Sequence, residues 1–155
     1  MNQITADRLC ELVSDALERT AFVLVDPADE GNSESFTPAR RSRLQLTAPD
    51  WTGSITLTAD DEFLRELASS LLGVDEDDVD IVEHGEDVLR ELANIVAGSV
   101  SLAMGGDKTH IAMGLPAIID LSTPISDADA DAMLEGDCGF LNVQWSITSS
   151  EKAAA

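Results

Sequence analysis

Asp87, Glu91, Asn94 and Gly98 are residue types that could fix a water molecule and admit a second molecule. A carboxamide both accepts and donates hydrogen bonds, so one Asn can hold a single water from two sides. Glycine removes the bulk that keeps a neighbour away. In a helix, at about 100° per residue from Asp87, Glu91 falls at about +40°, Asn94 at about −20° and Gly98 at about +20°. The four then share a stripe about 60° wide. Leu89, Leu92, Val96 and Val100 fall on the opposite side, which such a helix buries, so the polar stripe faces outward. Two of its members are costly there. Asn is a mediocre mid-helix residue, and an interior Gly costs roughly 1 kcal/mol relative to Ala. Costly residues on an exposed face point to use rather than to folding.

The pattern predicts this helix over residues 81–103, ended by Gly105-Gly106 and preceded by the acidic run 74–80. Upstream, Thr5 can cap a first helix to about Arg19, with Leu9, Leu12, Val13, Ala16 and Leu17 as its apolar stripe. Phe22 to Val25 reads as a buried strand stopped at Asp26-Pro27, and residues 28–40 as a loop. Leu44, Leu46 and Ala48, then Ile55 and Leu57, alternate with polar residues around Pro49-Asp50, which predicts a hairpin. A further helix is expected over residues 60–72, ending at Gly73. His110 to Leu115 reads as a strand with Ile111, Met113 and Leu115 on one face, stopped by Pro116, and 117–121 can continue it. Residues 127–134 read as a short acidic helix or turn, and Leu141, Val143, Trp145 and Ile147 mark a last strand before a frayed tail, 149–155. The expectation is an α+β domain, residues 1–155, with a mainly antiparallel sheet and long helices on one face. Two halves, about 4–73 and 79–148, look alike and suggest an internal repeat.

Thirty acidic residues against nine basic ones give a net charge of −21. Such a surface repels phosphate backbones and anionic lipid, which argues against nucleic-acid and membrane-surface binding. It suits solubility, or a salty cytoplasm that screens self-repulsion. No secretory signal or membrane-length apolar run is visible, so a cytoplasmic protein is expected. Cys10 and Cys138 form no Cys-x-x-Cys pair and read as reduced, mostly buried thiols. Hydrophobic residues make up 44% of the chain and aromatic ones only 4%, so its core must be aliphatic.

Asp87, three residues, Glu91, two residues, Asn94, then twenty-one residues and Pro116 is an order that resembles the signature of the CheC/CheX/FliY chemotaxis phosphatases. The resemblance implies that Glu91 and Asn94 are catalytic in dephosphorylating a CheY-like response regulator. Asn94 would orient the hydrolytic water, and Glu91 would meet the regulator's lysine beside its aspartyl phosphate. Asp87 and Gly98 would serve partner binding, and Pro116 the architecture. The chain itself would carry no cofactor or metal; Mg²⁺ would sit in the partner. Asp7, Glu11 and Ser14 form a degenerate copy in which Ser replaces Asn, so one live site is expected. That resembles CheX, whose relatives are homodimers. The alternative is a non-catalytic response-regulator or flagellar-switch docking module of the same fold.

Other signals fall short. Asp127, Asp129 and Asp131 alternate like the start of an EF-hand loop, but Ala132 and Cys138 stand where Gly and Glu belong. His84 and His110 lack spaced ligand partners. There is no nucleophile elbow and no phosphate-cradling Gly-rich loop.

Overall fold

The computed structural model describes residues 3–29, 31, 34–125 and 127–149. Three α-helices lie among them, and each starts at a side-chain cap. Thr5 accepts a 3.1 Å bond from the Arg8 N–H and opens α1, Ala6–Ala21. Asp60 accepts from Phe63 at 2.8 Å and opens α2, Asp61–Leu72. The Asp80 carboxylate accepts from Val82 and Glu83 at 3.0 and 3.3 Å and opens α3, Ile81–Ala103. Such caps satisfy amide donors that a helix's first turn otherwise leaves orphaned. The 23 residues of α3 make a rod about 35 Å long.

The strands are β1 (Asp26–Pro27), β2 (Arg40–Thr47), β3 (Trp51–Ala59), β4 (Ala112–Met113), β5 (Ala117–Ile119), β6 (Ala130–Glu135) and β7 (Phe140–Ser149). They form one antiparallel sheet in the order β1-β6-β7-β3-β2-β4, with β5 also paired to β2. The fold is α+β. Strand order is unchanged when β1, β2 and β3 are exchanged with β4/β5, β6 and β7. The topology carries that symmetry, while the repeat itself remains a reading of the sequence.

Register sorts the sheet into two faces. Leu44, Leu46, Ile55, Leu57, Leu141, Val143, Trp145, Ala132 and Leu134 share the face under the helices and are buried. There α1 packs on β6 and α3 on β2 and β3, while α2 packs chiefly against α3. Trp145 lies edge-to-face with Trp51, centroids 5.9 Å apart, and a Cβ on Gly53 would run into the Trp145 ring. The pleat sends Arg41, Arg43, Gln45, Ser54, Thr56, Thr58, Asn142, Gln144 and Ser146 to the other face.

Four expectations change. Phe22 to Val25 is not a strand: Phe22 closes α1 in the left-handed conformation (φ 56°) and is 84% exposed. Val23 and Val25 are buried but Leu24 is exposed, so the run serves as an alternating connection into the two-residue β1. The strand expected over 110–115 shrinks to β4, at the sheet edge. Leu115 there is 91% exposed rather than inward-facing with Ile111. Residues 127–134 are no helix. Ala130, Ala132 and Leu134 alternate inward along β6, where small residues let α1 approach. Neither cysteine is mostly buried: Cys10 is half-buried, and Cys138 is exposed in the β6–β7 turn. Of the expected loop, residues 30, 32 and 33 lie outside the described residues, as do 150–155 of the tail.

Candidate functional site on the long helix

Burial fixes how α3 is turned. Gly85, Val88, Leu89, Leu92, Ala93, Val96, Ala97 and Val100 are its buried residues, and the Leu89 carbonyl accepts a 3.4 Å bond from the Ser42 hydroxyl of β2. Asp87 and Glu91 are consequently exposed, with Asn94 and Gly98 half-buried on the same outer face. The structure therefore brings together the four positions expected to share a stripe, and it presents them away from the core. Pro116 stands apart from them in sequence. It leads into β5, which lies beside α3.

The stripe's polar groups differ in what they already hold. Asp87 accepts a 2.7 Å bond from Arg90 on the same helix, an i,i+3 ion pair. Glu91 and Asn94 have no hydrogen-bond or ion-pair partner among the described residues. Neither is a sealed polar group, since His84 Nδ1 alone among described side chains is buried without a partner. A carboxylate and a carboxamide less than one turn apart thus remain open to another molecule. Arg90, at about −60° from Asp87, borders the stripe. Sequence reasoning missed it, although its i,i+3 spacing from Asp87 was a usable signal.

A Cβ built on Gly98 meets nothing within 4 Å. The fold does not need glycine here, so its helix cost is not repaid by any intramolecular fit. Among the described residues no group of three or more His, Cys, Asp or Glu could hold a metal ion. No helix there is long and apolar enough to cross a membrane.

The sequence model of the family described as chemotaxis phosphatase CheX matches residues 46–133, more than half the chain and the whole interval from Asp87 to Pro116. The chain belongs to the CheX family. No curated protein matches it by sequence. Solved structures share the fold. CheX from Vibrio vulnificus superposes with a TM-score of 0.70 at 15% identity, covering 90% of this chain and 96% of that one. CheX from Desulfovibrio desulfuricans gives 0.66 at 17%, covering 92% and 98%. The CheX–CheY–BeF₃–Mg²⁺ complex from Borrelia burgdorferi gives 0.64 at 15%, covering 94% and 99%. Likeness at this level of identity shows the fold, so the chemistry must be argued from this chain's own residues.

Proposed function

We propose that this chain is a phosphatase that dephosphorylates a CheY-like response regulator in chemotaxis or two-component signalling. The observation that carries the reading is the pair Glu91 and Asn94, displayed on the outer face of α3 with no partner among the described residues. An acyl phosphate on a regulator aspartate lies in the regulator's pocket, beside the Mg²⁺ held there. A rigid helix can project into such a pocket. Family membership and the Borrelia complex, in which a CheX meets a CheY, support the choice of partner.

In this reading the Asn94 side-chain oxygen accepts a hydrogen bond from a water placed in line with phosphorus. The water's oxygen forms a bond to phosphorus as the bond from phosphorus to the aspartyl oxygen breaks. The regulator's carboxylate is regenerated, inorganic phosphate leaves, and the water's proton passes to solvent or phosphate. Phosphoryl transfer asks for little covalent help, so positioning supplies most of the acceleration. Glu91 would engage the regulator's lysine and set the helix at the correct depth. Asp87, held by Arg90, would border the contact, Gly98 would allow close approach, and Pro116 would fix the start of β5 beside α3. The chain would work in the cytoplasm as a homodimer. Sedimentation giving a mass of twice 16.5 kDa would bear out the dimer, and a monomer would remove it.

The test is phosphate release from a regulator loaded by a small phosphodonor, at low and high salt. The protein should speed the loss, and Asn94→Ala should remove the acceleration with the fold intact. Binding without faster loss would leave the docking-module reading in its place.

A further inference from the structure

The sheet face turned away from the helices holds a second feature. Nine basic residues serve a chain of 155, and three of them, Arg40, Arg41 and Arg43, fall on β2. Arg41 and Arg43 point to the open face. Neither takes part in the two ion pairs among the described residues, despite the thirty acids in the chain. Arg41 is consumed structurally: its Nε donates to Thr58 at 2.8 Å, and its guanidinium donates to the Leu121 carbonyl at 2.9 Å. The second bond ties the segment after β5 across this face. Arg43 has a single long contact, 3.5 Å from Nε to the Thr56 hydroxyl, and no partner for its terminal nitrogens among the described residues.

Arg43 opens into a cavity of about 210 Å³, lined also by Gln45, Ser54, Thr56 and Ser146 beneath Pro124 and Ile125. Register explains the floor. Arg43 pairs with Thr56, Gln45 with Ser54, and Ser54 with Ser146, so one guanidinium, one carboxamide and three hydroxyls converge from adjacent strands. Asp127 and Asp129 line an adjoining cavity that shares Gln45, Ser54 and Ser146 with this one, and of the carboxylates nearby Asp129 and Asp131 are held by donors of their own. Asp129 accepts from the Ile147 N–H at 2.8 Å, and Asp131 accepts from Asn142 and Gln144 at 2.7 and 3.1 Å. All of the polar lining side chains can donate, and the single charge among them is positive.

We infer that this cavity binds a small tetrahedral oxyanion, either free phosphate or the phosphoryl end of a small phosphomonoester, with Arg43 as its charged anchor. Guanidinium and hydroxyl donors arranged around a tetrahedral group satisfy more of its oxygens than those of a planar carboxylate. In so acidic a chain, a cationic recess is where a small anion meets least repulsion. Burial and the adjacent Arg43 charge also press the Arg41 guanidinium below its ordinary value. The site lies across the sheet from α3, so it is separate from Glu91 and Asn94.

Inorganic phosphate and methyl phosphate, titrated separately into ¹⁵N-labelled protein at ionic strength held constant with chloride, test this. Saturable shifts should centre on the amides of Arg43, Gln45, Ser54, Thr56 and Ser146. Arg43→Gln should weaken half-saturation at least tenfold, whereas Arg19→Gln should leave it unchanged. Tighter binding of phosphate assigns the free ion, and tighter binding of methyl phosphate assigns the monoester. Shifts that never saturate, that chloride reproduces, or that map elsewhere on the wild-type protein overturn the inference whether or not the variant folds. Acetate binding as tightly as phosphate, or indifference to Arg43→Gln, overturns it as well.

Discussion

Helices α1 and α3 present the same stripe with different contents. Asp7, Glu11, Ser14 and Glu18 stand at the relative positions of Asp87, Glu91, Asn94 and Gly98. Burial runs in parallel over the first three positions, the third residue being half-buried on each helix. In α1 the arginine takes the stripe's glutamate, Arg8 to Glu11 at 3.1 Å. In α3 it takes the aspartate, Arg90 to Asp87 at 2.7 Å, and leaves Glu91 free. Where α3 has the bare Gly98, α1 has the long, exposed Glu18. The α1 stripe also borders a groove of about 550 Å³ that holds Asp7, Glu11, Asp15 and Asp26, a collection of carboxylates that repels a phosphorylated surface. On the proposed reading, three differences set the α1 face apart from that of α3: the carboxamide, the free carboxylate and the clearance.

The comparison breaks most readily at its third position. Asn94→Ala should lower catalysed dephosphorylation about 10²-fold or more, the scale at which misplaced reacting groups cost rate. Ser14→Ala should leave it unchanged, and thermal melts should show both variants folded. Equal effects of the two substitutions would mean that α1 works as well.

Clearance should come next. Gly98→Glu copies α1 onto α3, and nothing within 4 Å of the new Cβ resists it. The fold should hold, while kcat/KM falls about tenfold through KM, equivalent to about 1.4 kcal/mol. Gly98→Ala separates the two roles of the position: chemical denaturation should show about 0.5–1 kcal/mol of added stability, with a smaller loss of activity. Unchanged kinetics in Gly98→Glu would place the docking surface elsewhere.

The two N-caps should behave alike and so show that the helices differ in chemistry rather than in construction. Thr5→Ala and Asp80→Ala remove acceptors from the first turns of α1 and α3, each at a cost of about 1 kcal/mol by urea denaturation. A much larger loss from one would mark its helix as the keystone of the layer.

What could be read from the chain follows what each segment's pattern depends on. The α3 stripe was legible because helical period, a strong apolar side and an N-cap agree over 23 residues. The β2–β3 hairpin was legible because alternation flanks a Pro-Asp turn. The acidic stretch before β7 was misread because its inward residues include Ala130 and Ala132, whose small side chains barely register as a hydrophobic pattern. Only the approach of α1 makes them core. Phe22 and Leu115 misled in the opposite way: both are large and apolar, yet one closes a helix and the other sits at an edge with no layer above it. For the site, residue types and spacing gave the stripe. The Arg90 pairing and the openness of Glu91 and Asn94 depend on side-chain geometry that spacing alone does not decide.

The smallest expected effect reads the electrostatics of the α1 stripe directly. Burial raises the Cys10 thiol above its ordinary value, and the Asp7 and Glu11 charges raise it further. The thiolate is the reactive form, so a raised value means less of it at a given pH and slower alkylation. Asp7→Asn and Glu11→Gln should each speed iodoacetamide labelling of Cys10 at pH 8, followed by peptide mass spectrometry. The exposed Cys138 serves as the internal reference, since Asp7 and Glu11 are absent from the charges that act on it. The equivalent neutralisations on α3, Asp87→Asn and Glu91→Gln, should leave the Cys10 rate alone. The contribution of burial should persist in every variant, keeping Cys10 slower than a free thiol. If neutralising the α1 carboxylates changed nothing, burial alone would account for Cys10, and the acidity of this stripe would lose its part in the contrast with α3.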